Sequence, residues 1–322
     1  LIFIKSTQKI DKKSLSLLSA SGGEMRCINM TSVLLPPMAG RRQLRATRRD
    51  VLRRLGAGLA VALLALPRAV PAQPPAAVTL QAQWSVHLQA DGKGSDDRGA
   101  QLLVLLGGLG GSEGVATAQD TLTWPADGTG VYRIDSTLTP RGALAVLLRR
   151  LHWVRTAGGE VRNGQPELLQ ASNRKGDGPT TWMHITGGQM VVQTGQQQAS
   201  AALSPSRPAP VGLTDPLTLA WGHLQRPLPV KPFTVALLIN DKVQTAHIVP
   251  QRVQLAWQGE NVACTLLDAQ SEQSSATLRI WLRHSDGLPL QVELGMGERY
   301  GLDVVQVLTA VPPGLDALRA RQ

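Results

Sequence analysis

Val78-Thr79-Leu80-Gln81-Ala82-Gln83-Trp84-Ser85-Val86-His87-Leu88 alternates without a break. Val78, Leu80, Ala82, Trp84, Val86 and Leu88 fall on one side, and Thr79, Gln81, Gln83, Ser85 and His87 on the other. Successive side chains of a strand point to opposite faces, so this period of two reads as a strand with one buried and one wet face. Working outward, similar alternations recur at 116–124, 131–138, 180–185, 189–194, 233–239, 243–249, 253–257, 262–266, 277–283, 290–294 and 302–308. Many short strands separated by Gly, Pro, Asn and Asp predict an antiparallel sheet that curls or closes. Their one-sided polarity argues against a parallel sheet covered by helices on both faces. The expected fold is therefore mostly β: one large curved antiparallel sheet, a half-barrel or open barrel, with one or two packed helices.

Helix signals are few. Thr214-Asp215-Pro216, followed by Leu217, Leu219, Ala220 and Leu224, predicts a capped helix of two to three turns with Pro in its first turn. Residues 142–154, rich in Leu, Ala and Arg, fit a helix or a buried strand equally. Residues 91–99, 196–210 and 312 onward read as loops or a tail by composition.

The formal net charge of +10 suggests a nucleic-acid partner until it is divided along the chain. Residues 1–72 carry 13 Lys and Arg against 3 Asp and Glu, and residues 73–322 carry 20 of each. The whole excess lies in the first segment, which reads as an export leader, so no nucleic-acid partner is expected. Thr47-Arg48-Arg49-Asp50-Val51-Leu52 resembles a twin-arginine signal, with Val51 in place of an aromatic residue. The apolar run from Leu55 to Leu66, loosened by Gly56 and Gly58, is too short for a membrane span, which needs about 20 residues. Val70-Pro71-Ala72 then offers small residues to a signal peptidase, placing cleavage between Ala72 and Gln73. No Cys follows the run to take a lipid anchor. Residues 1–37 read as translation upstream of a start at Met30 or Met38, residues 38–72 as the signal peptide, and residues 73–322 as a single β-rich periplasmic domain without a membrane span. Of the two cysteines, Cys27 lies in the leader, and Cys264 sits in an apolar alternation that predicts a buried thiol.

The search for chemistry yields no catalytic, cofactor or metal residue, and no cofactor is expected. The run Leu102-Leu103-Val104-Leu105-Leu106-Gly107-Gly108-Leu109-Gly110-Gly111 suggests a dinucleotide turn. Counted from Gly108, however, the third glycine would have to stand where Glu113 does, so the run reads as a hairpin. His87, His152, His184, His223, His247 and His284 fall on different predicted elements, with no metal-ligand spacing among them. Gly110-Gly111-Ser112-Glu113-Gly114 matches the spacing Gly-x-Ser-x-Gly but belongs to the same glycine-rich run, and Cys264 has no basic residue beside it. The seven tryptophans, against two Tyr and two Phe, read mainly as core filling for a curled sheet, with an apolar ligand site as the rival.

Leu122-Thr123-Trp124, Gly130-Val131-Tyr132-Arg133-Ile134, Gly212-Leu213-Thr214-Asp215-Pro216-Leu217-Thr218, Ile280-Trp281-Leu282, Asp286-Gly287-Leu288-Pro289-Leu290-Gln291-Val292 and Gly301 together resemble the exported bacterial family called domain of unknown function 3108. The resemblance covers about residues 80–310 and implies a signal peptide and a β-rich body, without any activity or functional residue to carry over. Analogy of architecture with periplasmic lipoprotein carriers suggests a sheet that holds acyl chains. The leading expectation is a non-enzymatic envelope protein binding a hydrophobic ligand, such as a lipid, or an envelope partner on its concave face. The alternatives are a hydrolase assembled from separate strands and a purely structural scaffold.

Overall fold

The computed structural model describes residues 77–90, 111–126, 128–142, 145, 152–196, 198, 202–224, 226–239, 242–295 and 301–319. The signal residues Arg48 and Arg49, the cleavage residues Ala72 and Gln73, the start candidates and nearly all of the glycine-rich run lie outside them. So does most of the ambiguous 142–154 segment.

The opening alternation forms strand β1 (Ala77–Ala90). It is followed by β2 (Ala116–Pro125), β3 (Gly130–Pro140), β4 (Trp153–Arg162), β5 (Gln165–Lys175), β6 (Thr180–Thr186) and β7 (Gln189–Gly195). Three two-residue strands come next, β8 (Ala202–Leu203), β9 (Arg207–Pro208) and β10 (Leu213–Thr214), leading into helix α1 (Pro216–Trp221). The remainder is β11 (Phe233–Ile239), β12 (Lys242–Trp257), β13 (Glu260–Ser271), β14 (Thr277–Arg283), β15 (Pro289–Gly295), β16 (Leu302–Leu308) and a last helical turn, α2 (Leu315–Arg319). All strands join one open sheet in the order β10 to β16, then β1 to β8, with β9 also on β7. Every ladder is antiparallel except the short β10–β11 pair. β1 holds the two halves together, pairing with β2 along one edge and β16 along the other.

The sheet curves around α1. This helix touches β4, β11, β14 and β15. From β14 to β4 is six strand spacings, roughly 29 Å across a flat sheet. A six-residue helix is only about 9 Å long. Contact at both places requires the sheet to wrap, and its inner face is the one that α1 packs on. The apolar phase of β1 lies there, with Leu80, Ala82, Trp84 and Val86 all buried.

Several sequence expectations change in detail. The runs 243–249 and 253–257 are one strand, β12, despite Pro250 between them. Pro250 lies beyond the last β11 pairing at Ile248, where β12 has a neighbour on one side only, and there a missing N–H is tolerated. β4 and β5 carry no clean alternation and escaped the sequence reading. A bulge at Gly158–Gly159 shifts their register, and a Cβ at Gly159 would run into the Glu167 carbonyl. α1 has fewer than two turns rather than two to three. Asp215 caps it, accepting from the Thr218 and Leu217 amides at 2.8 and 3.3 Å, and all six helical residues are buried. The supposed loop 196–210 contains β8 and β9, and the tail after Pro312 contains α2.

Candidate functional site

Two polar clusters stand out, one on each face of the sheet. The inner one begins with Asp120, which occupies the apolar phase of β2 together with Ala118, Leu122 and Trp124. A carboxylate there must find donors or remain an uncompensated buried charge. It finds two indoles: Trp84 Nε1 and Trp221 Nε1 each donate to its Oδ2 at 3.0 Å. The two rings meet edge to face, 6.0 Å between centroids. Burial is the largest influence on the Asp120 carboxyl and pushes its pKa up, against the lowering effect of hydrogen bonds from Ser136 and both indoles and of the Arg155 charge. Arg155 lies 3.7 Å from the helix-capping carboxylate of Asp215. Its own pKa is lowered by burial, which outweighs the raising effect of Asp215 and Asp120. Tyr132 Oη and Thr218 Oγ1 share a hydrogen bond of 3.1 Å. The helix is thus tied to β2 through Trp221, to β3 through Thr218 and to β4 through Asp215.

These ties close the inner face around Arg155. The cavities left beside Arg155 measure about 20 and 30 Å³, room for one or two waters each. Neither takes an acyl chain unless α1 moves aside.

The outer face offers more room. Along the inner side of β3 to β6, Ile134, Ala157, Ala171 and Met183 stand opposite one another. The flanking outer rows are Arg133, Gly158, Gln170 and His184, and Asp135, Thr156, Ser172 and Trp182. A groove of about 210 Å³ runs between them, closed at one end by Gln198. Gly158 has no side chain, and the Gln170 amide reaches over it: a Cβ there would lie 3.1 Å from Gln170 Nε2. Thr156 Oγ1 and Ser172 Oγ are hydrogen-bonded at 2.8 Å. Gln198 Nε2 and His184 Nε2 are 2.7 Å apart. Arg133 forks onto Asp135 at 2.7 and 2.8 Å, and those hydrogen bonds are the first cause of its raised pKa.

One arrangement has the outline of a nucleophile, base and acid. His247 Nδ1 lies 2.9 Å from Thr234 Oγ1, and its Nε2 lies 2.6 Å from Glu272 Oε1. The three are exposed on the open face of β11 and β12, and more than half of the His247 and Glu272 side-chain surface is accessible. An exposed strand face neither excludes water nor aims fixed donors at a developing oxyanion.

Of the other features read from sequence, Cys264 is buried, and desolvation pushes its thiol up to about 11. Trp84, Trp124, Trp153, Trp221 and Trp257 are buried, whereas Trp182 and Trp281 are half-buried. His87, His184 and His247 lie on three different strands and His152, His223 and His284 just outside elements, and among the described residues no three His, Cys, Asp or Glu side chains form a metal-binding group. Among the described residues no helix is long and apolar enough to cross a membrane.

No family model and no curated protein matches the chain. Among solved structures it is similar to a β-barrel-like protein of domain of unknown function DUF1849 from Brucella abortus, at 11% identity and a TM-score of 0.37, covering 72% of this chain and 95% of that one. At that score the likeness carries no functional argument.

Proposed function

We propose that this chain is an exported periplasmic protein, related to the domain of unknown function 3108 family, that binds a ligand without transforming it and presents a polar groove on the outer face of β3 to β6. The observation that carries the binding reading is the contrast between the two faces. Beside Arg155, beneath α1, the inner face has cavities of about 20 and 30 Å³, while the outer groove is about 210 Å³. Its walls are hydroxyls, amides, the Arg133 guanidinium, the His184 imidazole and one half-buried Trp, and no carboxylate among the described residues is hydrogen-bonded to His184. Such walls recognise and orient a polar molecule but supply no acid and base pair.

The export half of the proposal rests on the leader. Replacing Arg48 and Arg49 by Lys should leave the precursor uncleaved in the cytoplasm, because the twin-arginine receptor reads the guanidinium pair rather than charge alone. Export with equal efficiency would show a different route. The binding half is tested by thermal denaturation of the protein with water-soluble and with chloroform-soluble extracts of cell envelopes. A ligand that binds only the native state raises the midpoint. The reading expects the water-soluble extract to do so, and an effect confined to the lipid extract would return the ligand site to the inner face, beneath α1.

The hydrolase alternative draws on Thr234, His247 and Glu272. Purified protein that cleaves a p-nitrophenyl ester, and loses that activity in His247→Asn, would favour it.

A further inference from the structure

We infer that the groove on the outer face of β3 to β6 is a binding site for a neutral saccharide, with one pyranose ring stacked on Trp182. This inference rests on the binding reading above and names the ligand class. A sugar ring presents C–H groups on its faces and hydroxyls around its edge. Its complement is an aromatic plane bordered by groups that both donate and accept hydrogen bonds.

The groove supplies those parts in adjoining rows. Trp182 stands opposite Ser172 in the β5–β6 ladder and lines the groove while only half-buried. Beside it, Thr156 and Ser172 spend one hydroxyl proton on each other, so the pair retains one proton to donate and lone pairs to accept. The Gln170 amide lies over Gly158, and the Gln198 amide carbonyl is not used in the bond to His184. His184 contributes its second ring nitrogen. Gly158, between Arg133 and Gln170 in register, carries no side chain and leaves room for the Gln170 amide to lie over it.

Charge selects against an anion. Among the described residues lining the groove, Arg133 is the one permanently cationic side chain, and its two-point contact with Asp135 neutralises it. A phosphate or carboxylate ligand would meet no uncompensated positive charge, whereas a polyol needs none.

The test is calorimetric titration of the full chain with N,N′-diacetylchitobiose and methyl glucoside as neutral probes, glucose 6-phosphate as the anionic probe and a Gly-Gln-Gly tripeptide as the peptide probe. At least one neutral probe should bind saturably, with a Kd between about 10 µM and 1 mM. Trp182→Ala should weaken it by about tenfold or more, and Gln198→Ala, on an exposed side chain outside the ladders, by about threefold. Should Trp182→Ala fail to fold, Gln198→Ala and the hydroxyl-deleting Thr156→Val decide. Binding of the phosphate or peptide probe alone, no saturation by either neutral probe at about 10 mM, or neutral-probe binding unaffected by these variants would overturn the inference. If the neutral probes fail while the water-soluble envelope extract still raises the melting point of the parent and not of the groove variants, only the saccharide assignment falls. If the extract also fails, the binding reading falls with it.

Discussion

Replacing Asp120 by Ala should destabilise the fold far more than replacing it by Asn. The carboxylate accepts from two indole N–H groups 3.0 Å away, on rings that are themselves 1% exposed, so both donors lose their protein acceptor with it. Each buried donor left without an acceptor costs about 1–3 kcal/mol, giving about 2–6 kcal/mol for the pair. Asn keeps a carbonyl oxygen with two lone pairs in the same place. It loses only a charge that burial already disfavours, as the raised pKa of Asp120 indicates, and Arg155 retains Asp215. Asp120→Asn should therefore stay within about 1 kcal/mol of the parent. In a domain of this size 1 kcal/mol corresponds to about 2–4 °C, so Asp120→Ala should melt roughly 5–20 °C lower. Urea titration followed by circular dichroism, with Trp fluorescence as a second probe, measures both variants. Equal effects of Ala and Asn, or an Ala variant within about 1 kcal/mol of the parent, would refute the claim that Asp120 anchors the helix to the sheet.

Other consequences are as direct. Gly287 has φ +71°, and a Cβ there would collide with the His223 carbonyl just beyond α1, so Gly287→Ala should cost about 2 kcal/mol or more in urea denaturation; an unchanged midpoint would mean that the two turns do not touch. Cys264, buried with its thiol near 11, is only about one-thousandth thiolate at pH 8, so peptide-resolved alkylation should find it unlabelled in the native protein and labelled in urea. Fast native labelling would contradict its placement. Burial first, and Arg226 second, lower the His223 pKa to about 4 from an ordinary 6.5. The folded state then binds fewer protons than the unfolded one, so the stability this residue contributes is present above pH 6.5 and is lost as pH falls toward 4. The stability difference between parent and His223→Gln should shrink or reverse over that window, and parallel pH curves would exclude the effect.

Much of the sheet was legible because its strands keep one face wet. β1, β2, β11, β14 and β16 follow from alternation alone, with ends within a residue or two of the predicted ones. β4 and β5 were not legible. Gly158-Gly159 interrupts the period with a bulge, and Gln165 to Lys175 contains too few apolar residues to mark a buried side. The outer groove is built on those two strands, so it could not be found before they were. The inner anchor left one readable sign, a carboxylate in the buried phase of β2. Its partners Trp84 and Trp221 lie 36 and 101 residues away, and local periodicity carries no information about such pairings. The N-cap and the proline after it gave the start of α1. Its end is set by what encloses it: a Cβ at Gly222 would press on Pro166 of β5 and on the Thr218 carbonyl.

The central claim is that ligand recognition belongs to the polar groove rather than to the inner face. Native mass spectrometry of the protein recovered from the envelope fraction of its own cells tests this most directly, run on the parent, on Trp182→Ala and on Asp120→Asn. The account predicts a water-soluble ligand on the parent and on Asp120→Asn that is absent from Trp182→Ala. A lipid released only on unfolding, and retained by Trp182→Ala, would contradict it and place the site beneath α1.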